Sequence, residues 1–223
     1  MGYNEREEKQ QYGGKNMIGF YDYTVVLTLL SLAASIIGMT QAMGGYFGRA
    51  IIFLALSGLF DTFDGKVART KKNRTDDEKL YGIQLDSLAD VVCFGVFPIA
   101  ICYLMGLRTG WDAAIFALYG ICGVIRLAFF NVLETNRQMK PGGGEKVYHG
   151  LPITTIAIVL PITFLFHFVV DANVFRMILR VVMAVIGVLF VVDFKLKKLK
   201  NWQIAVLIVV VGVAALLVFL RTK

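Results

Sequence analysis

Histidine occurs only twice in this 223-residue chain, cysteine three times and proline four times. Cys93, Cys102 and Cys122 fall in apolar stretches with no paired spacing, which excludes a disulfide framework and a thiolate metal site and leaves them as small packing residues. His167 lies in an apolar run and reads as a structural residue, while His149 draws notice only for its place in a loop. There is no internal repeat or low-complexity tract, and the first sixteen residues are too polar for a cleaved signal peptide. Charged residues make up only 17% of the chain, which leaves little to solvate a soluble surface.

Apolar residues fill that space. They account for 57% of the chain, mean hydropathy is +0.66, and the sequence breaks into runs near the length that crosses a bilayer as helix. The runs are Asp22–Met43, Tyr46–Ala68, Ile83–Met105, Asp112–Leu133, Gly150–Val170, Val174–Asp193 and Trp202–Leu220. They predict an all-α, polytopic membrane bundle of six to seven spans, residues 22–223, preceded by a polar tail and interfacial amphipathic segment, residues 1–21. In that segment Met17–Tyr23 carries aromatics suited to the membrane surface.

Lysine and arginine collect on one side of this plan. The tail (Arg6, Lys9, Lys15), the segment after the second run (Arg69, Lys71, Lys72, Arg74, Lys79), the loop with Arg137, Lys140 and Lys146, and Lys195 to Lys200 alternate with loops holding little beyond Arg49 and Arg108. Short basic loops stay in the cytoplasm, so the N-terminus is expected there. Seven spans would put Arg221 and Lys223 outside, against that rule, and the topology of the last span stays open. The net charge of +7 belongs to these loops and to anionic headgroups, so no nucleic-acid partner is expected. Pro141-Gly142-Gly143-Gly144 reads as a flexible loop on the same side.

Against this background four aspartates stand out, because ionised carboxylates in apolar helices are costly unless something positive holds them. Asp61 and Asp64 are three residues apart and Asp86 and Asp90 four apart, so each pair projects from one helix face. If the two helices are neighbours, four carboxylates converge, and an all-oxygen donor set suits a hard divalent cation such as Mg²⁺ or Mn²⁺. Gly65 and Ala68 follow Asp64 at one and four positions and would admit a bulky ligand to the helix backbone. Gly82 stands one turn before Asp86, and Arg69 can pair bidentately with phosphate. The acid-bearing end faces the cytoplasm in this topology.

The array Asp61-x-x-Asp64-Gly65-x-x-Ala68-Arg69 followed by Gly82-x-x-x-Asp86-x-x-x-Asp90 resembles the signature of the CDP-alcohol phosphotransferases, with every fixed residue present. The connection Thr70–Tyr81 is longer than is usual in that family. Leu85 to Pro98 is similar to the phosphatidylserine synthase branch, with Cys93 in place of its usual serine. Arg126-Leu127-Ala128-Phe129-Phe130-Asn131-Val132 and Tyr148-His149-Gly150-Leu151-Pro152 also resemble that branch, with Phe129 where a second arginine is common.

The resemblance implies transfer of a phosphatidyl group from CDP-diacylglycerol to L-serine, with release of CMP. It implies two divalent ions held by Asp61, Asp64, Asp86 and Asp90, with Asp90 also the general base. Asp61, Asp64, Gly65, Ala68, Arg69 and Gly82 would contact the CDP part. Serine needs a group to read its carboxylate, and Arg126 is the leading candidate, with Asn131, Tyr148 and His149 beside it. A homodimer in the cell membrane is expected from the family. Glycerol 3-phosphate or inositol phosphate as acceptor, an ether-lipid CDP donor, and a non-enzymatic cation transporter stay open as alternatives.

Overall fold

The computed structural model describes residues 19–68, 70–71, 74–138, 148–196 and 201–222. Helix occupies all seven apolar runs: α1 (Val26–Met43), α2 (Phe47–Ala68), α3 (Asp76–Asp90) continued through a π-helical segment (Val91–Val96) into α4 (Phe97–Leu104), α5 (Gly110–Gln138), α6 (Ile156–Phe164), α7 (Ala172–Val191) and α8 (Asn201–Arg221). Short 3₁₀ turns, Ile153–Thr155 and Leu165–Phe168, flank α6. The protein is an all-α polytopic membrane fold. Val26–Met43, Asp76–Leu104, Gly110–Gln138 and Ala172–Val191 are long and apolar enough to cross a membrane, and Ile153–Phe168 and Val206–Arg221 are shorter apolar helices. The second run became a 22-residue helix, but Arg49, Asp61, Asp64 and Lys66 dilute its apolar character.

Two helices outrun the apolar patterns that announced them, and local polar chemistry explains both. α3 begins at Asp76 rather than Ile83 because Thr75 and Glu78 form a reciprocal cap. The Glu78 backbone N–H donates to Thr75 Oγ1 (3.2 Å), and the Thr75 N–H donates to Glu78 Oε2 (3.0 Å). Asp76, Asp77 and Glu78 then complement the positive end of the helix. α5 runs on to Gln138, its last turn held by Arg137 Nε and Gln138 Nε2 donating to Glu134 at 2.9 and 2.8 Å. At its other end the fully buried Asp112 accepts from Thr109 N (2.8 Å) and from Arg180 Nε (2.6 Å), which ties α5 to α7.

The core follows α1 packed on α2 and α5 packed on α7, with Ile51, Leu54, Phe94, Phe97, Tyr119 and Phe190 among its largest enclosed side chains. Small residues set the closest approaches, as expected where lipid offers no hydrophobic drive for helix association. A methyl group on Gly58 of α2 would lie 2.6 Å from Ala157 Cβ of α6, and one on Gly187 of α7 would lie 3.0 Å from Tyr119 Cα of α5. The three cysteines are free and buried, as their apolar settings predicted.

The π-helical segment has an identifiable cause. Pro98, near the start of α4, has no N–H for the carbonyl of Phe94, and its ring would strike that carbonyl in a regular helix. The backbone widens instead, with the Phe97 N–H donating to Val92 O, and the Tyr119 hydroxyl supplies the missing donor to Phe94 O at 2.6 Å.

Two further connections are tied down. Tyr148–His149 and Lys195–Leu196 pair as a two-residue antiparallel ladder, Tyr148 opposite Leu196 and His149 opposite Lys195. Gly150 leaves that ladder at φ +66°, a backbone conformation that favours glycine, and donates its N–H to Phe194 O at 2.9 Å. The chain before α1 folds over α3. Phe20 meets the Tyr81 ring edge-on at 5.4 Å, and Lys71 bridges Asp22 (2.7 Å) and Glu78 (2.9 Å).

Candidate active site

α2 and α3 bring three of the four aspartates together. One carboxylate oxygen from each of Asp61, Asp86 and Asp90 lies within 4.8 Å of the other two. Carboxylates this close repel one another unless a proton or a cation lies between them. An all-oxygen cluster of this size fits a hard divalent ion, so these residues could hold one.

Asp64 is not part of that group of three. It is buried one turn along α2, where its Oδ2 accepts from Thr28 Oγ1 of α1 at 3.1 Å. Gly65 is exposed, and a methyl group there would meet nothing within 4 Å, which leaves the backbone open to a ligand. Gly82 is covered instead: a methyl group on it would lie 2.6 Å from Arg74 Nη2. Arg69 lies outside the described residues, as do Pro141 to Gly144 and the polar tail through Ile18. Ala68 ends α2, and only its backbone is described.

The residues expected at the acceptor come from α5 and the glycine loop. Arg126 is buried, its guanidinium 5.7 Å from the centre of the Phe130 ring. A methyl group on Gly150 would lie 3.6 Å from Arg126 Nη1, so the loop that begins at Tyr148 reaches Arg126. For Tyr148 and His149 the backbone alone is described. Asn131, one helical turn and a residue beyond Arg126, accepts at Oδ1 from the hydroxyl of Ser87, the neighbour of Asp86. That bond ties the helix carrying Arg126 to the helix carrying the acids.

Beneath the carboxylates lies a second polar layer that the motif did not announce. Ser31 Oγ and Ser57 Oγ are 2.8 Å apart, Ser35 Oγ donates to Ser57 Oγ at 2.8 Å, and Ser31 Oγ donates to Cys93 Sγ at 3.7 Å, all four residues buried. Ser57 is one turn from Asp61, and Cys93 three residues from Asp90. The signal was present in α1 as polar residues recurring every three or four positions, Thr28, Ser31 and Ser35, on its buried face.

The sequence profile of CDP-alcohol phosphatidyltransferases matches residues 23–192. The chain belongs to that family. Among similar proteins is the CDP-diacylglycerol–serine O-phosphatidyltransferase of Saccharomyces cerevisiae, 44% identical over 117 residues, which are 52% of this chain and 41% of that protein. The archaetidylserine synthase of Methanothermobacter thermautotrophicus is 32% identical over 147 residues, 66% of this chain and 59% of that protein. A CDP-diacylglycerol–serine O-phosphatidyltransferase of Helicobacter pylori is 31% identical over 209 residues, 90% of this chain and 83% of that protein. The chain thus spans about half the length of the first two relatives and most of the third.

Proposed function

We propose that this membrane protein transfers a phosphatidyl group from CDP-diacylglycerol to the hydroxyl of L-serine, giving phosphatidylserine and CMP. The observation that carries the reading is the convergence of Asp61, Asp86 and Asp90 within 4.8 Å, in a family whose similar members act on serine. Two divalent ions, Mg²⁺ or Mn²⁺, would be held by Asp61, Asp64, Asp86 and Asp90. Bound there, they supply charge neutralisation at the pyrophosphate and a better leaving group.

The chain's own residues do the rest. Gly65, Ala68 and Arg69 receive the nucleotide, and Gly82, which was expected beside them, lies under Arg74 at the border of that space. Arg126 meets the serine carboxylate, a use that accounts for a cation enclosed in an apolar helix, and Asn131, Tyr148 and His149 border the same space. Asp90 takes the proton from the serine hydroxyl as its oxygen bonds to phosphorus and the bond to CMP breaks. A carboxylate is a weak base toward an alcohol, so the placement of the hydroxyl carries most of this step. In this reading residues 22–223 form the catalytic domain after a tail of residues 1–21, the N-terminus and site face the cytoplasm, and the working unit is a homodimer.

The test is product analysis. Membranes containing the protein, CDP-diacylglycerol, and Mg²⁺ or Mn²⁺ receive labelled serine, glycerol 3-phosphate or inositol in separate reactions. Lipid labelled from serine alone is expected, and label from glycerol 3-phosphate alone would move the protein to a sister activity. The archaeal relative favours a second reading of the donor, so a parallel reaction with an ether-lipid CDP donor is included.

A further inference from the structure

Arg74 lies in the long connection between α2 and α3, outside every motif read from the sequence, yet its side chain lies against the helix that carries Asp86 and Asp90. Its Nη2 donates to the carbonyl of Glu78 at 2.9 Å and sits 2.6 Å from where a methyl group on Gly82 would be. Gly82, Asp86 and Asp90 recur every four residues, so they share one stripe of α3. The guanidinium therefore lies at Gly82 on the stripe that carries the acids, about 6 Å along the helix axis from Asp86 at the usual rise per residue. Its Nε is buried and donates to no acceptor among the described residues. A charged donor removed from water without an acceptor is costly, and such an atom on the helix face that carries the acids marks a place for an anion.

Resting on the reading of this site as a CDP-lipid site, we propose that Arg74 is a nucleotide-binding residue, whose guanidinium grips a phosphate oxygen of the cytidine nucleotide as substrate or as released CMP. A planar, always-charged fork suits that contact better than a lysine ammonium. Gly82 then has a specific use, since its missing side chain is the space in which the fork lies. The longer connection supplies the reach, and the Thr75–Glu78 cap fixes the base of the arm.

The experiment measures CMP affinity by equilibrium dialysis on purified protein in lipid nanodiscs, alongside KM for CDP-diacylglycerol and for serine, kcat and the melting temperature. Arg74→Gln is expected to weaken CMP binding roughly tenfold or more and to raise the donor KM, with serine KM and melting temperature unchanged. Arg74→Lys should recover part of the loss. Gly82→Ala should mimic Arg74→Gln by displacing the fork, and the double substitution should lose no more than either single one. Unchanged CMP affinity in Arg74→Gln, or additive losses in the double variant, overturns the proposal and leaves Arg74 as a brace on the first turn of α3. A lowered melting temperature with donor and serine KM moving together would also count against it. If the unsubstituted protein binds no CMP at all, the failure lies with the CDP-lipid reading itself.

Discussion

At the scale of single residues, the three clustered carboxylates are the sharpest test, because replacement by the amide removes charge without removing volume. Asp61→Asn and Asp86→Asn should each cost about a hundredfold or more in turnover while leaving a folded, membrane-inserted protein with its melting temperature intact. Asp90→Asn should depress kcat more than it weakens CMP binding. Equal losses in both would make Asp90 a metal ligand rather than the base. Arg126→Lys keeps the charge and loses the fork, so the serine KM should rise with little change in donor affinity. Serinol, which lacks the carboxylate, should be indifferent to the change. Asp22 offers a test by pH. Burial tends to raise its carboxyl, but Lys71 and the Thr24 hydroxyl and N–H more than offset that and hold its pKa at about 2. The folded value lies below the ordinary one of about 3.9, so the tie stabilises fully above pH about 4 and is lost as pH falls through about 2. The gap in melting temperature between the unsubstituted protein and Asp22→Asn should be open at neutral pH and closed near that limit.

At the scale of elements, the widened turn after Asp90 has a cause that can be reversed. Tyr119→Phe takes the hydroxyl donor from Phe94 O and should destabilise the protein by about 1–3 kcal/mol. Pro98→Ala restores a backbone N–H, so the two changes together should be less harmful than Tyr119→Phe alone. Melting curves in one detergent decide it, and a double variant that is worse than the single would remove proline as the cause. The same elements show what a sequence can disclose. Asp61, Asp86 and Asp90 were legible because charge in an apolar helix is conspicuous and a spacing of three or four fixes its face. The start of α3 was not legible from hydropathy, since the apolar pattern begins at Ile83 while the Thr75–Glu78 cap begins the helix a full two turns earlier. The packing of Arg74 on Gly82 and of Ser57 between Ser31 and Ser35 depends on how separate segments meet, which spacing along one strand of sequence does not encode.

At the scale of the whole molecule, a divalent ion that binds the folded acidic cluster and not the unfolded chain should raise the melting temperature with concentration. Mn²⁺ or Mg²⁺ should do so for the unsubstituted protein, EDTA should reverse it along with activity, and Asp86→Asn should flatten the response. The site also has to be closed on its far side. An acidic cleft cut partway into a bilayer is half of a conduction path for protons, and a membrane that leaked through such a protein could not hold its voltage. The layer beneath the acids is the plug. Ser31, Ser35 and Ser57 hydrogen-bond one another, Ser31 Oγ also meets the Ser57 carbonyl and Cys93 Sγ, and Leu54, Ile51, Phe94 and Phe97 are fully enclosed. Polar groups that satisfy each other have no call on water, so this layer is expected to stop solvent at Asp61 and Asp90. Liposomes carrying the unsubstituted protein should therefore hold a proton gradient as well as empty ones, while a variant that opens this floor, such as Ser57→Gly with Phe97→Ala, should discharge it: in that outcome the hydroxyls beneath the acidic cluster are also its electrical insulation.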